Sequence, residues 1–258
     1  MRLCGCRTIL LATWIFVGLW PACAIGQNRF DVLAKTLQPY TALFFNKSTN
    51  RGVEGDITLR QDSSNNRLLL NRSAHVYFQP PDKLRIEVSG FDPKVVFCRN
   101  GQNIWVSPKS FGQALLAGLP ASSSSKSVPE FRLPLKETEI MLLPALLQIY
   151  EFTSDVDQQN DPVWVLRLRP DPQLVKGKLA SEWNASLTTR QKDNALEHLE
   201  LNSSLWSGAI DVANTQFVNT FPDSTWAADP SQQADSIQIP VSTYAAALER
   251  FAGLHLTR

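Results

Sequence analysis

The chain has 258 residues, with 25 Lys and Arg against 24 Asp and Glu and a formal charge of +1. That balance, without a long basic run, leaves no electrostatic footprint for nucleic acid or for an anionic membrane surface. The three histidines, His75, His198 and His255, have no second His or Cys at ligand spacing, which argues against a metal centre.

At the start, Arg2 and Arg7 precede an apolar run from Ile9 to Trp20, and Pro21 and Ala22-Cys23-Ala24 follow it. This order predicts a cleavable export signal over residues 1–26, cut after Ala24 or Gly26. The run is too short for a membrane span, which takes about 20 apolar residues. Lipidation of Cys23 is the alternative outcome; Trp20 and Pro21 suit that motif poorly, so the reading is a soluble exported, periplasmic chain. Cleavage leaves Cys98 alone, so no internal disulfide could form, and residues 27–258 are expected to fold as one domain around an apolar core.

Phe30, Leu33, Ala34 and Leu37 lie on one helical stripe, with Asn28 placed to cap the helix and Pro39 to end it. Strands are predicted over Val53–Arg60, Arg67–Phe78 and Lys83–Ser89. Lys94 to Ser107 reads as a hairpin around Asn100-Gly101, with Phe97 opposite Ile104 and Val96 opposite Trp105. Both faces of that ribbon are apolar, so something must cover each of them. Residues 108–134, rich in Pro and Ser, read as a long loop, either a lid or an insertion. Leu135 to Phe152 is apolar nearly all round and is read as a buried helix, part core and part lid, with Pro144 starting its second half. More antiparallel strands are predicted at Val163–Arg169, Trp183–Arg190, Ala195–Leu201 and Ala209–Thr220. A short helix at 242–252, with Ser242 as cap and Tyr244, Leu248 and Phe251 as its stripe, closes the series.

Catalytic chemistry finds no foothold in these residues. There is no Gly-x-Ser-x-Gly elbow, no Gly-rich phosphate loop and no carboxylate pair assignable to one site, and Cys98 beside the hairpin turn reads as a small buried hydrophobe. What stands out is apolar material that suits either an ordinary core or a pocket for a greasy ligand.

One stretch is more specific: Gln79-Pro80-Pro81-Asp82-Lys83-Leu84-Arg85-Ile86-Glu87, then Val95-Val96-Phe97, then Asn100-Gly101-Gln102-Asn103-Ile104-Trp105. It resembles the LolA family of periplasmic lipoprotein carriers, in which a Pro-x-x-(Phe/Leu)-Arg strand precedes an Asp/Asn-Gly turn and an aliphatic-Trp pair. Leu142-Leu143-Pro144-Ala145-Leu146-Leu147 is similar to that family's lid helix, and Phe217 to Pro222 to its late Phe-x-x-x-x-Pro segment. The resemblance implies an α+β, mostly β fold: an unclosed antiparallel β-barrel, a curved sheet with helices over its concave apolar face. It implies a monomeric, non-enzymatic carrier without cofactor, holding lipoprotein acyl chains or another lipid. Leu84, Ile86, Val96, Trp105, Leu142 and Leu146 would line the cavity, and Arg85 would hold the lid through hydrogen bonds to backbone. The length of 108–134 and the C-terminal helix depart from the family pattern. The same fold serves an outer-membrane lipoprotein receptor and a lipid-sensing stress regulator, so an envelope sensor that binds a protein partner is the alternative.

Overall fold

The computed structural model describes residues 28–45, 51–62, 69–118, 127, 128, 130, 131, 147–171, 173, 183–203 and 207–252, without the side chains of 247–252. The export signal expected over residues 1–26, with Cys23, and Leu142 and Leu146 lie outside them.

The chain opens with α1 (Arg29–Phe44), whose first turn is capped by Asn28 accepting from Phe30 N–H at 3.1 Å. Pro39 does not end this helix but sits inside it. Its missing N–H costs one helical bond, whereas Tyr40 and Phe44 beyond it dock edge-on and tilted against Phe217 and Phe78 of the sheet, so packing overrides the local breaker.

Ten strands follow: β1 (Gly52–Asp62), β2 (Ser73–Gln79), β3 (Lys83–Val88), β4 (Val95–Asn100), β5 (Asn103–Ser107), β6 (Leu147–Val156), β7 (Pro162–Pro170), β8 (Trp183–Arg190), β9 (Leu196–Ser203) and β10 (Ser207–Val218). With the two-residue β11 (Ile237–Gln238) they form one sheet in the order β11-β5-β4-β3-β2-β1-β10-β9-β8-β7-β6, antiparallel throughout. Two meanders, β1–β5 and β6–β10, are thus joined along a β1–β10 seam, and β11 and β6 are the edges among the described residues. The expectation of an unclosed, mostly β architecture holds.

Several local expectations do not. Leu69–Asn71 is a turn, so the second strand begins only at Ser73. Residues 147–152, read as helix, belong to β6: an apolar run without clear period suits a buried strand as well as a buried helix, and a bulge at Tyr150 blurs its alternation. Within the predicted loop 108–134, Lys109–Gly118 forms α2, built from Ala and Leu behind Pro108, whose carbonyl accepts from Phe111 and Gly112 N–H. In the hairpin the two loop residues are Gly101 and Gln102, with only Gly101 at positive φ (63°), as a type II′ turn requires. Phe97 therefore faces Val106 rather than Ile104, and Trp105 faces Cys98 rather than Val96.

Alternation along the strands separates the faces. One carries Ile57, Val76, Phe78, Leu84, Ile86, Phe97, Leu199 and Ile210 and receives α1; the other carries Asp56, His75, Arg85, Glu87, His198 and Asp211. At the β6–β8 end, Val32 and Leu33 of α1 are sealed against Ile149, Leu166, Leu168, Ala185 and Leu187. At the other end, the chain after β10 crosses the outer face as a 3-10 turn (Asp223–Trp226) and α3 (Pro230–Ala234). It then adds β11 to the edge of β5 and returns on the inner face as α4 (Val241–Ala252). The C-terminal segment thus clasps β3–β5 from both sides.

Gly112 of α2 shows how closely the clasp fits, because a Cβ there would overlap Ile237 Cγ2 of β11 and stand 3.3 Å from Val106 Cβ. Gly112→Ala is expected to cost about 1–3 kcal/mol of stability through overpacking, seen as a lower urea midpoint at unchanged slope.

Candidate functional site

The middle of the apolar face is less deeply buried than its ends. Ile57, Val76, Phe78, Leu84, Ile86, Leu199 and Ile210 are all half-buried, whereas Ile104 and Val106 at one end and Leu166 and Leu187 at the other are fully covered. The result is a half-buried apolar strip, hereafter the trough, running across β9, β10, β1, β2 and β3. Its roof on one side is the C-terminal half of α1, through Tyr40 on Phe217 at 5.2 Å and Phe44 on Phe78 at 5.8 Å.

Of the cavity residues expected from sequence, Leu84 and Ile86 line this trough. Val96 and Trp105 do not, which corrects the single-cavity expectation. Ile86 faces Phe97 across the ladder, so its neighbour Val96 must point to the opposite side, where it pairs with Glu87, as Trp105 pairs with Cys98. Both are sealed on the outer face, with Cys98, under Phe221 and Trp226 of the C-terminal crossing. Each apolar face of the β4–β5 hairpin is therefore covered, as its composition demands, but by different parts of the clasp.

Arg85 belongs to the outer face. It is 8% exposed, its Nη1 donates to the carbonyls of Thr225 and Ala227 at 2.9 Å each, its Nε donates to Glu87 at 2.7 Å, and its guanidinium lies 5.6 Å from the Trp105 ring. Burial would raise the Glu87 carboxyl, but bonds from Lys94 and Arg85 outweigh it and bring the group below its usual range. A cleft of about 400 Å³ opens beside these groups, walled by Tyr77, Arg85, Glu87, Ser224, Thr225 and residues 227–229. The lid segment that the sequence resemblance points to lies outside the described residues; among those described, the backbone that Arg85 holds is the outer crossing. Cys98 Sγ meets Trp226 O at 3.4 Å, and burial pushes its thiol up to about 11, so it has no nucleophilic character at neutral pH.

The inner face has an arginine that sequence reading passed over. Arg99, directly across from Leu84 and fully buried, places its guanidinium 4.5 Å from the Phe131 ring and 5.6 Å from the Tyr244 ring. The only linear signal was a charge inside an otherwise apolar strand.

Two histidine–aspartate pairs flank the seam on the outer face, and their aspartates are bonded across it. His75 Nδ1 lies 2.7 Å from Asp56, which also accepts from Asn214 at 2.7 Å; His198 Nδ1 lies 2.7 Å from Asp211, which also accepts from Arg60. The Asn214 bond chiefly holds the Asp56 carboxyl low; for Asp211, burial works upward but the His198 and Arg60 bonds prevail. No group of three or more His, Cys, Asp or Glu side chains suited to a metal ion occurs among the described residues.

Two measurements probe these contacts. Arg85→Leu should cost about 3 kcal/mol in urea unfolding, because it leaves Glu87 and two carbonyls short of a buried donor. Carboxylates with depressed folded pKa stabilise above their unfolded pKa and lose that contribution as pH falls. The thermal midpoint should therefore drop between about pH 5 and pH 3, and less steeply in Asp56→Asn/Asp211→Asn.

No family profile and no curated protein matches the sequence. Among solved structures, the chain is similar to the Mycobacterium tuberculosis lipoprotein LppX, at 12% identity over 72% of this chain and 93% of that one, with a TM-score of 0.37. It is similar to a chain of the Pseudomonas aeruginosa MucA/MucB complex, at 10% identity over 81% and 62%, with a TM-score of 0.40. A LolA superfamily protein from Nitrosomonas europaea matches at 8% identity over 75% and 98%, with a TM-score of 0.27. These are likenesses of fold, at identities too low to carry an activity from one chain to another.

Proposed function

We propose that the protein is a non-enzymatic envelope carrier that shelters acyl chains, of a lipoprotein or a similar lipid, in the trough between the sheet and its helices. The observation that supports this is the half-buried middle of a continuous apolar face, with Phe78, Leu84 and Ile86 at its centre, flanked by ends that are sealed. Each methylene removed from water contributes about 0.8 kcal/mol, so some ten buried methylenes suffice for a dissociation constant near a micromolar. Binding of this kind needs no catalytic group, in keeping with a sequence that carries no catalytic motif. Among the described residues no helix is long and apolar enough to cross a membrane, and the export signal read at residues 1–26 supports action in the periplasm.

The test uses a dansylated fatty acid and native mass spectrometry of the purified protein. The protein should emerge with bound lipid and take up the probe. Ile86→Glu, which puts a charge into the trough, should weaken uptake by at least about tenfold. His75→Gln, on the outer face, should leave uptake unchanged. A wild-type protein that carries no lipid and ignores the probe would sink the proposal.

A further inference from the structure

The outer face of the sheet holds a hollow separate from both the trough and the cleft beside Arg85. Its volume is about 610 Å³, and Thr58, Arg60, Thr188, His198, Asp211 and Asn214 line it together with the β6–β7 and β8–β9 turns. Three local devices make a hollow in a face that alternation alone would leave flat. In β9 the register with β8 passes from Thr188–His198 to Thr189–Leu196, so Glu197 is a bulged residue and lines the hollow beside its neighbour His198. In β10, Asn214 at φ 54° is bulged against β1 and turns its amide onto Asp56 at 2.7 Å. The β6–β7 turn forms a wall: Asp157 accepts from Gln159 and Asp161 N–H at 2.8 Å each, and Gln191 of the β8–β9 turn ties it down through Ser154 at 2.7 Å and Val163 O at 3.0 Å.

Across the floor runs one row of cross-strand neighbours, Thr58, Asp211, His198 and Thr188, on β1, β10, β9 and β8. Neighbouring strands lie about 4.8 Å apart, so four polar groups at that interval span roughly 14 Å. Asp211 holds the imidazole through Nδ1 at 2.7 Å, which leaves Nε2, on the far side of the ring, as an acceptor. Among the described residues neither that Nε2 nor the hydroxyls of Thr58 and Thr188 have a hydrogen-bond partner. Such a row suits a ligand that repeats its own hydroxyl groups at the same interval. A β-1,4-linked glycan does so, because its equatorial linkages keep the chain extended and set successive rings at nearly the strand spacing. An extended peptide does not, since its residues rise only about 3.3 Å and it joins a sheet along an edge, not across a face.

The charges narrow the class. Arg60 is bonded to Asp211, and Arg190 lies 3.2 Å from Asp193 and 3.4 Å from Glu197, so neither cation is left for an anionic ligand. Burial pushes the Glu197 carboxyl up against the pull of Arg190, and Asp157, Asp193 and Asp161 add to the rise. A phosphorylated or carboxylate-rich chain would be repelled here. We propose that this hollow binds a neutral, extended glycan chain, whose hydroxyls bridge the row from Thr58 to Thr188. The site lies on the face opposite the trough and does not depend on the trough carrying lipid.

Titration of the isotope-labelled protein with the β-1,4-linked N-acetylglucosamine tetramer, followed by amide chemical shifts, reads the site directly. Shifts should concentrate at residues 186–190, 197–199 and 210–214, with a dissociation constant of about a millimolar, as four net hydrogen bonds in a solvated site would give. Maltotetraose, whose α linkages coil the chain out of register, should bind at least about tenfold more weakly. Thr188→Val and Thr58→Val, which each remove one hydroxyl at nearly constant shape, should each weaken the tetramer about fivefold. Ile86→Glu, on the other face, should leave glycan binding unchanged, so failure of the carrier reading and failure of this site are told apart. Wild-type amides that do not shift, equal binding of the two tetramers, or both valine variants binding as wild type overturn the proposal. So does an oligolysine peptide that shifts the same amides when the glycan does not.

Discussion

A wide antiparallel sheet with one apolar face must have that face covered, and the cover has to come from the same chain. Eleven strands present more apolar width than α1 spans: the helix seals β6–β8 and reaches as far as Phe78 on β2, while α2 and α4 seal β4–β5. Between them, among the described residues, the strands are only half-buried, and the candidate site is the remainder of that covering problem. Full coverage would maximise stability; partial coverage leaves apolar surface for a ligand.

The β4–β5 hairpin carries the same constraint further, because it is apolar on both sides and lies one strand from an edge. One C-terminal stretch meets both demands. Phe221 and Trp226 cover Val96, Cys98 and Trp105 outside, β11 pairs with the edge, and Ile239 and Tyr244 reach Ile104 and Phe97 inside. Arg85 fastens the outer half to the sheet and Arg99 meets the inner half, so two neighbouring strands each direct an arginine at the same stretch of chain from opposite faces.

Much of this was legible in the residues. The Asn28 cap, the strands from β1 to β5, the β8–β9 hairpin and the need to cover both faces of β4–β5 all follow from alternation, caps and turn chemistry. Leu84, Ile86, Val96 and Trp105 were grouped by the family resemblance, and alternation puts the first two on the inner face and the last two on the outer one. In a ribbon apolar on both sides composition cannot say which side faces which neighbour, and a turn displaced by one residue moves every pairing. Other features depend on distant contacts: α1 runs through Pro39 because Phe217 and Phe78 hold its end, and β6 hides its alternation behind a bulge. The outer crossing at 221–229 has no periodicity at all, and its course is set by Arg85 and by the apolar floor beneath Trp226. Arg99 left no linear sign of its ring contacts, since Phe131 and Tyr244 lie 32 and 145 positions away.

The burial of Cys98 under Trp226 bears on how the protein tolerates its surroundings. With its pKa near 11, only about one thiol in ten thousand is ionised at pH 7, and the thiolate is the form that attacks disulfides and reacts with oxidants. Outside a reducing cytosol, a lone accessible cysteine would become a handle for mixed disulfides and unwanted covalent dimers. The outer half of the clasp therefore acts as a chemical shield as well as a structural tie, keeping Cys98 out of reach of oxidants.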